Sequence, residues 1–180
     1  MEEDQLIKNC QDSIRSSQEI LYKKYATKLK GICLRYSRTE FEAEDIFQEA
    51  FVKVFHNIKK FDFKGSFEGW IKRIVLNTAI DHYKKNYSLL NNLPIDQISE
   101  AAEASYSEIL GYLSMEELLK IVQTLPEGYR LIFNMYAIDG YSHKEISEML
   151  NISSGTSKSQ LSKARKMIQK QIEVSQFYTK

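Results

Sequence analysis

The sequence predicts an all-α protein made of two small helical modules joined by a flexible linker. Glycine and proline, which interrupt helices, number only 7 and 2 in 180 residues. Apolar residues recur at three- and four-residue intervals along most of the chain, which is the spacing of one helix face. Residues 88–112 break that pattern with a polar, weakly periodic stretch. We therefore expect a first module at 1–87, a linker at 88–112 and a second module at 113–174.

The charge balance excludes a protein that binds polyanions by excess charge alone. Lys and Arg number 25 against 24 Asp and Glu, so any affinity for nucleic acid must come from local patches. Cys10 and Cys33 lack metal-ligand spacing and are predicted to be buried free thiols in a reducing compartment. The start of the chain is acidic and the longest apolar runs are short, so we expect no secretory signal, no membrane span and a cytoplasmic location.

Three helices are predicted between residue 3 and about residue 58 of the first module. The first covers residues 3–14, and Ser16 with Glu19 has the capping-box spacing that opens a second. Thr39 with Glu42 opens a third helix, which runs to about residue 58. The inward positions of the second helix are Leu21, Tyr25, Leu29, Ile32 and Tyr36. Those of the third are Ala43, Phe47, Ala50, Phe51, Val54 and Ile58.

The outward face of the third helix carries Asp45, Gln48 and Glu49 around Val52, and we call these four residues the docking patch. An apolar side chain among carboxylates on an outward surface is typical of a site that binds a basic protein partner. Scattered surface residues would give the same pattern, because single exposed valines are common. Periodicity leaves both interpretations open.

Basic and aromatic residues alternate after the third helix, with eight bases against three acids between residues 53 and 85. Such a mixture suits single-stranded nucleic acid, because the charges follow the backbone and the rings stack on unpaired bases. Ser66 can cap a fourth helix, and the loop before it can accept a base pulled out of the duplex. The alternative is that Trp70 and the phenylalanines belong to the core, with Phe67, Ile71 and Ile74. The candidate contacts are Lys60, Phe63, Lys64, Gly65, Ser66, Trp70, Arg73 and Asn77.

The second module has the pattern of a helix-turn-helix. Ser142 and Glu145 form a capping box that opens a short helix, and Asn151 suits a left-handed turn. Ser153 can then cap a longer helix to about residue 172, which holds five basic residues and no acidic one between 153 and 170. A short helix, a tight turn and a longer basic helix predict a unit that binds duplex DNA.

A helical wheel separates two faces of this last helix, which we call the recognition helix. Its inward face is formed by Ser157, Leu161, Ala164 and Ile168. The residues predicted to contact DNA are Gly155, Thr156, Lys158, Ser159, Ser162, Lys163, Arg165 and Lys166. Small hydroxyls allow close approach to the major groove, lysines reach bases or phosphates, and backbone amides at the helix start bind phosphate. A solvated basic face is the alternative for the helix alone, and the capped helix and turn before it argue against that alternative.

The sequence offers no sign of covalent chemistry. It lacks a nucleophile–base pair, a metal-ligand cluster and a phosphate-binding glycine loop, and its histidines, His56, His82 and His143, are widely separated. We expect no enzymatic activity, no metal, no cofactor and no small-molecule substrate.

Three segments in register resemble one family. They are "AEDIFQEAFVKVF", "GSFEGWIKRIVLNTAIDHYKK" and "LPEGYRLIFNMYAIDGYSHKEISEMLNISSGTSKSQLSKARK". Together they look like a bacterial RNA polymerase sigma factor of the small, extracytoplasmic-function (ECF) class. The resemblance covers nearly the whole chain, with a linker of suitable length between its two parts.

The resemblance implies a role for each candidate site. The first module would be sigma region 2, in which the docking patch binds core RNA polymerase and the loop and helix after it melt and read the −10 element. The second module would be region 4, whose recognition helix reads the −35 element. The chain departs from the family pattern at Ser157 and Gln160, where many members carry Val and Arg.

The resemblance also implies promoter DNA and an anti-sigma factor, typically membrane-anchored, as partners. Two alternatives stay open at this point. One is a stand-alone helix-turn-helix regulator of transcription whose first module senses or dimerises. The other is a sigma-like adaptor that binds polymerase but has lost promoter reading.

Overall fold

A computed structural model describes residues 2–87 and 114–178 of the chain. The chain divides into two compact units, Met1–Asn86 and Tyr87–Lys180. Every regular element within the described ranges is helical, so the predicted all-α fold with two helical modules is confirmed. The predicted linker at 88–112 lies outside the described residues.

Residues 2–87 form four helices and one short turn of 3₁₀ helix. The helices are α1 (Glu3–Gln11), α2 (Arg15–Tyr36), α3 (Glu40–Asn57) and α4 (Phe67–Tyr87), and the 3₁₀ turn is Ile58–Lys60. Helix α2 packs against both α1 and α3, and the 3₁₀ turn contacts α1 and α3. The turn thus links the end of α3 to the loop that precedes α4.

The core of this unit forms on the faces that periodicity predicts. All the inward positions expected on α2 and α3 are buried. Tyr22 adds a half-buried ring that contacts Phe47 and Phe51, with ring centroids 5.6 and 4.7 Å apart. Aromatic pairs at such separations add stability beyond the apolar area that they bury.

Two expectations for the start of the chain are wrong. Helix α1 ends at Gln11 because Ser13 takes the left-handed conformation, with φ at 63°, which no α-helix continues through. Ile14 is therefore not on the α1 face but precedes α2, and its side chain is 43% exposed. Ser16 lies within the first turn of α2 rather than at its N-cap. One further residue expected in the core, Ile74 on α4, is half-buried.

The second unit is built around its last helix. Its elements are α5 (Met115–Gln123), α6 (Glu127–Phe133), a π-helical turn (Asn134–Ile138), α7 (His143–Leu150) and α8 (Ser154–Tyr178). Helix α8 packs against α5, α6 and α7.

Two complete capping boxes define helix starts in this unit. The hydroxyl of Ser114 accepts from the Glu117 backbone N–H, and the hydroxyl of Ser142 accepts from that of Glu145, while each glutamate bonds back to its serine N–H. These bonds lower the pKa of the Glu117 and Glu145 carboxyls below the usual value, chiefly because the serine backbone N–H stabilises the charged form. The capping predicted at Ser142 is confirmed.

Candidate polymerase and nucleic-acid interfaces

The docking patch is solvent-exposed, and the side chain of Val52, its apolar member, is 70% exposed. Neighbouring side chains restrain two of its three polar members, Gln48 and Glu49. The Gln48 side-chain amide donates to Glu44 Oε1 at 2.8 Å, and Glu49 Oε1 lies 2.8 Å from Lys53 Nζ. The patch therefore presents an uncovered apolar side chain beside a carboxylate that has one cationic neighbour.

Sequence reasoning missed Phe41, which is 77% exposed in the first turn of α3. Residues 41, 45, 48 and 52 are four, seven and eleven positions apart, so on a helix they form one stripe. Phe41 therefore extends the apolar part of the docking patch along α3. The signal was readable: an aromatic residue falls four positions before Asp45, on the face already identified as outward.

A cluster of three rings lies where the 3₁₀ turn meets α4. The ring centroids of Phe61 and Phe67 are 5.2 Å apart, and Trp70 lies 5.6 Å from Phe61 and 5.4 Å from Phe67. Phe61 and Phe67 are buried, whereas Trp70 is half-buried. The core interpretation of Trp70 is therefore half right, since one part of the indole packs inward and the other faces solvent.

The loop at residues 61–66, which we call the capture loop, projects from this cluster. Phe63 is 36% exposed and has φ at 61°, and its ring lies 5.1 Å from that of Phe61. The Asp62 carboxylate accepts the Lys64 backbone N–H at 3.1 Å and pairs with Lys64 Nζ at 3.1 Å. These contacts lower the pKa of Asp62, first through the backbone N–H and then through the ammonium. The loop thus has a defined shape while its residues 62–66 stay exposed.

The remaining −10 candidates adjoin this loop or follow it on α4. Ser66 caps α4, since its hydroxyl accepts the Gly69 N–H at 3.3 Å. Arg73 and Asn77 are both exposed, three and seven residues after Trp70, and so lie on its side of the helix. Lys60 is exposed at the end of the 3₁₀ turn, where its ammonium donates to an asparagine side chain at 2.8 Å. The predicted −10 residues therefore either belong to the capture loop, adjoin it, or follow it along one side of α4.

In the second unit, Asn151 adopts the predicted left-handed conformation, with φ at 54° and ψ at 48°. Its backbone N–H donates to the Ser147 carbonyl, which ends α7. Ser153 then caps α8, since its hydroxyl accepts the Thr156 N–H at 2.9 Å. A capped helix, a left-handed residue and a second capped helix give the helix-turn-helix geometry.

A partly buried polar contact joins the two helices of this motif. Ser157 on α8 is fully buried, and its hydroxyl lies 2.8 Å from His143 Nδ1 at the start of α7. The His143 ring stacks on Tyr136 with centroids 4.4 Å apart, and the guanidinium of Arg165 lies 5.7 Å from the centre of the Tyr136 ring. The recognition helix is thus fixed to α7 and to the π-helical turn by polar and aromatic contacts together.

The recognition helix presents the predicted DNA face in part. Its inward residues are buried, while Lys158 and Lys166 are exposed. Ser159, Ser162 and Lys163 are half-buried. Arg165 is half-buried as well, so its guanidinium is shared between Tyr136 and the surface.

The start of the recognition helix needs one correction. The Thr156 N–H is already bonded to Ser153, and the Thr156 hydroxyl lies 2.8 Å from the same oxygen. The phosphate contact predicted for two backbone amides therefore rests on exposed Gly155.

Other kinds of site were sought in the described ranges. Across residues 2–87 and 114–178, no group of three or more His, Cys, Asp or Glu side chains is placed to hold a metal ion. Over those same residues, no helix combines the length and apolar character needed to cross a membrane. Cys10 and Cys33 are buried free thiols, and burial raises the pKa of Cys33 to about 12, which disfavours its reactive thiolate.

Comparison with known proteins assigns the two units. Residues 21–88 match the family described as Sigma-70 region 2, and residues 115–168 match Sigma-70 region 4. The ECF RNA polymerase sigma factor SigW of Bacillus subtilis is 31% identical over 82% of this chain and 84% of its own. The chain belongs to the ECF sigma-factor family. As a member of it, this ECF sigma factor is a promoter-specificity factor.

Other relatives match this ECF sigma factor over almost all of its length. The ECF RNA polymerase sigma-E factor of Escherichia coli is 28% identical over 93% of both chains. Among solved structures, CnrH in complex with the cytosolic domain of CnrY aligns with a TM-score of 0.50 at 20% identity, covering 94% of this chain and 96% of that one. RpoE in complex with the anti-sigma factor NepR from Bartonella quintana aligns with a TM-score of 0.50 at 18% identity, covering 87% and 96%. Both likenesses concern the fold.

Proposed function

We propose that this ECF sigma factor binds core RNA polymerase and directs initiation at alternative promoters, with residues 1–87 as region 2, 88–112 as the linker and 113–174 as region 4. The observation that carries the proposal is the order of three features along one chain. An exposed docking patch and a ring-supported capture loop occupy the first unit, and a helix-turn-helix occupies the second. Each unit alone binds weakly, and polymerase holds both at high effective concentration.

The docking patch is proposed to bind core polymerase. Val52 supplies the apolar contact, and Asp45 and Glu49 supply charges for a basic partner, with Gln48 between them. Such an arrangement is what a protein interface needs: an apolar centre with polar groups around it.

The capture loop and the exposed side of α4 are proposed to open and read the −10 element. Trp70 and Phe63 offer ring surfaces to an unpaired base, because each is partly solvent-exposed. Lys60, Lys64 and Arg73 follow the strand backbone, and Asn77 can hydrogen-bond to a base edge. Gly65 and Ser66 leave room for the base, since a side-chain carbon added at Gly65 would meet nothing within 4 Å.

The recognition helix is proposed to read the −35 element. Lys158 and Lys166 are exposed and long enough for bases or phosphates, while Ser159 and Ser162 allow close approach to the groove. Lys163 lies on the same face. The exposed Gly155 approaches the DNA backbone at the helix start, and Arg165 contacts the backbone from the margin while it remains against Tyr136.

Partners and location follow from the same role. The protein acts in the cytoplasm as a non-enzymatic regulator, with no cofactor, no metal and no small-molecule substrate. One solved structure with the same fold is bound to an anti-sigma factor, and we propose such a regulator, anchored in the membrane, for this protein also.

Transcription in vitro tests the proposal. Sigma-free core polymerase, fragmented genomic DNA and this protein should give discrete start sites that share upstream elements. A stable complex with core polymerase but no start sites would favour the adaptor. Absence of both would remove the sigma role and favour a stand-alone regulator, which should bind a palindromic site without polymerase.

A further inference from the structure

A side chain of helix α1 bonds to the first residue of the capture loop. The Gln11 side-chain amide donates to the Ile58 carbonyl at 3.0 Å and to the Phe61 carbonyl at 2.9 Å. These two carbonyls lie at the two ends of the 3₁₀ turn Ile58–Lys60. Gln11 therefore fixes both the end of α3 and the first residue of the capture loop, from 47 and 50 residues away in sequence.

The loop needs such support because its backbone is strained. Phe63 has φ at 61°, a conformation that bulky side chains rarely adopt. Backbone of this kind persists where the surroundings hold it, and it concentrates at functional sites. Phe61 is the buried anchor on one side of Phe63, and the Asp62–Lys64 contacts restrain the other.

A second side chain of α1 contacts the same loop. Lys8 Nζ lies 5.7 Å from the centre of the Phe63 ring. Residues three apart on a helix share a face, so Lys8 and Gln11 form one surface directed at the loop. Helix α1 lies outside residues 21–88, which are the part of the chain that matches Sigma-70 region 2.

We propose that Gln11 is a positioning residue that holds the capture loop in the shape that accepts an unpaired base of the −10 element. The inference rests on the proposed function of that loop. Gln11 itself is partly buried beneath the turn and acts through the backbone. An amide suits this role because one nitrogen supplies two N–H donors without a charge, and both carbonyls are acceptors.

The test compares Gln11→Met with Gln5→Met in full-length protein bound to core polymerase, on a promoter found in the transcription experiment. Methionine fills similar volume but cannot donate. Gln5 is the matched control, because it is exposed on the same helix and bonds only within α1 where described, to Asn9 Oδ1 at 2.9 Å. Opening is measured by permanganate reactivity of unpaired thymines, and base capture by affinity for a single-stranded −10 oligonucleotide.

Gln11→Met should lower both readings about tenfold, the size expected from one or two lost hydrogen bonds, with affinity for core polymerase unchanged. Gln5→Met should match the natural sequence. Gln11→His, whose neutral ring keeps one N–H donor of similar reach, should recover part of the loss.

Equal opening by Gln11→Met and Gln5→Met would overturn the inference. A parallel loss of core binding would also overturn it, because a loop-positioning role leaves the docking patch intact. Failure of the natural sequence to initiate at all is a different result, which would remove the proposed function instead.

Discussion

The two units carry their positive charge in different ways. In the first unit, lysines around the proposed DNA surface have carboxylate neighbours, as in Lys64 with Asp62 and Lys72 with Glu68, whose atoms lie 3.1 and 2.6 Å apart. In the second, residues 153–170 hold five bases and no acid. We therefore expect recognition by the first unit to depend mainly on rings and loop shape, and recognition by the second to depend on charge. A net charge of +1 conceals this asymmetry.

The largest effect should come from a substitution in the docking patch, which is proposed to bind core polymerase rather than DNA. Glu49→Lys places a cation where the partner is expected to be basic, and like charges at an interface cost several kcal/mol, so core affinity should fall by about 3 kcal/mol. Loss of the local pair with Lys53 contributes little, because exposed pairs are weak. Titration of labelled protein with core polymerase measures the change.

Glu19→Lys is the matched control, since Glu19 is exposed on α2, outside the docking patch. Equal affinities for the two variants would show that α3 does not form the interface, and the division of labour between the units would need redrawing.

A smaller effect, on DNA affinity and its dependence on salt, should distinguish a lysine in the acid-free stretch 153–170 from a lysine that has a carboxylate neighbour. Lys158→Ala should reduce promoter affinity of the holoenzyme by about 1–2 kcal/mol and lower the slope of log affinity against log salt by about 1. Lys64→Ala should change the slope less, because Asp62 already neutralises part of that charge. Filter binding at a series of salt concentrations gives both slopes. Identical slopes would contradict the asymmetry.

The smallest expected effect is on how the stability of the first unit depends on pH. Lys28 and Lys72 hold the pKa of Glu68 at about 2, below the usual 4.5. Its stabilising effect is therefore complete above pH 4.5 and is lost as the pH falls toward 2. Thermal unfolding followed by fluorescence of Trp70, the one tryptophan, reports on the first unit. As the pH is lowered, the melting temperature of the first unit should fall less steeply in Glu68→Gln than in Glu19→Gln. Equal slopes would show that Glu68 does not contribute to the loss of stability at low pH.

The faces of the long helices could be predicted from sequence because periodicity states which side is buried. The stripe of α2, the cap at Thr39 and the left-handed Asn151 are all as expected. The end of α1 could not be predicted, because Ser13 rather than Gly or Asn takes the left-handed conformation there.

Contacts between residues far apart in the chain could not be predicted from the sequence either. Gln11 looks like an ordinary polar residue at the end of a helix, and nothing in its neighbours indicates carbonyls 47 residues away. The occupied Thr156 amide was missed for a local reason, since the same Ser153 that predicts the helix start also bonds to that amide.

The partly buried contact between Ser157 and His143 bears on how substitutions in this protein combine. A substitution of Ser157 alone removes the hydroxyl that contacts Nδ1 of the half-buried His143, so its effect depends on the residue at position 143 as well. The free-energy cost of valine at position 157 is thus coupled to the residue at position 143. Lys158 and Lys166 are exposed on the same helix, so substitutions there should leave the packing of α8 against α7 unchanged.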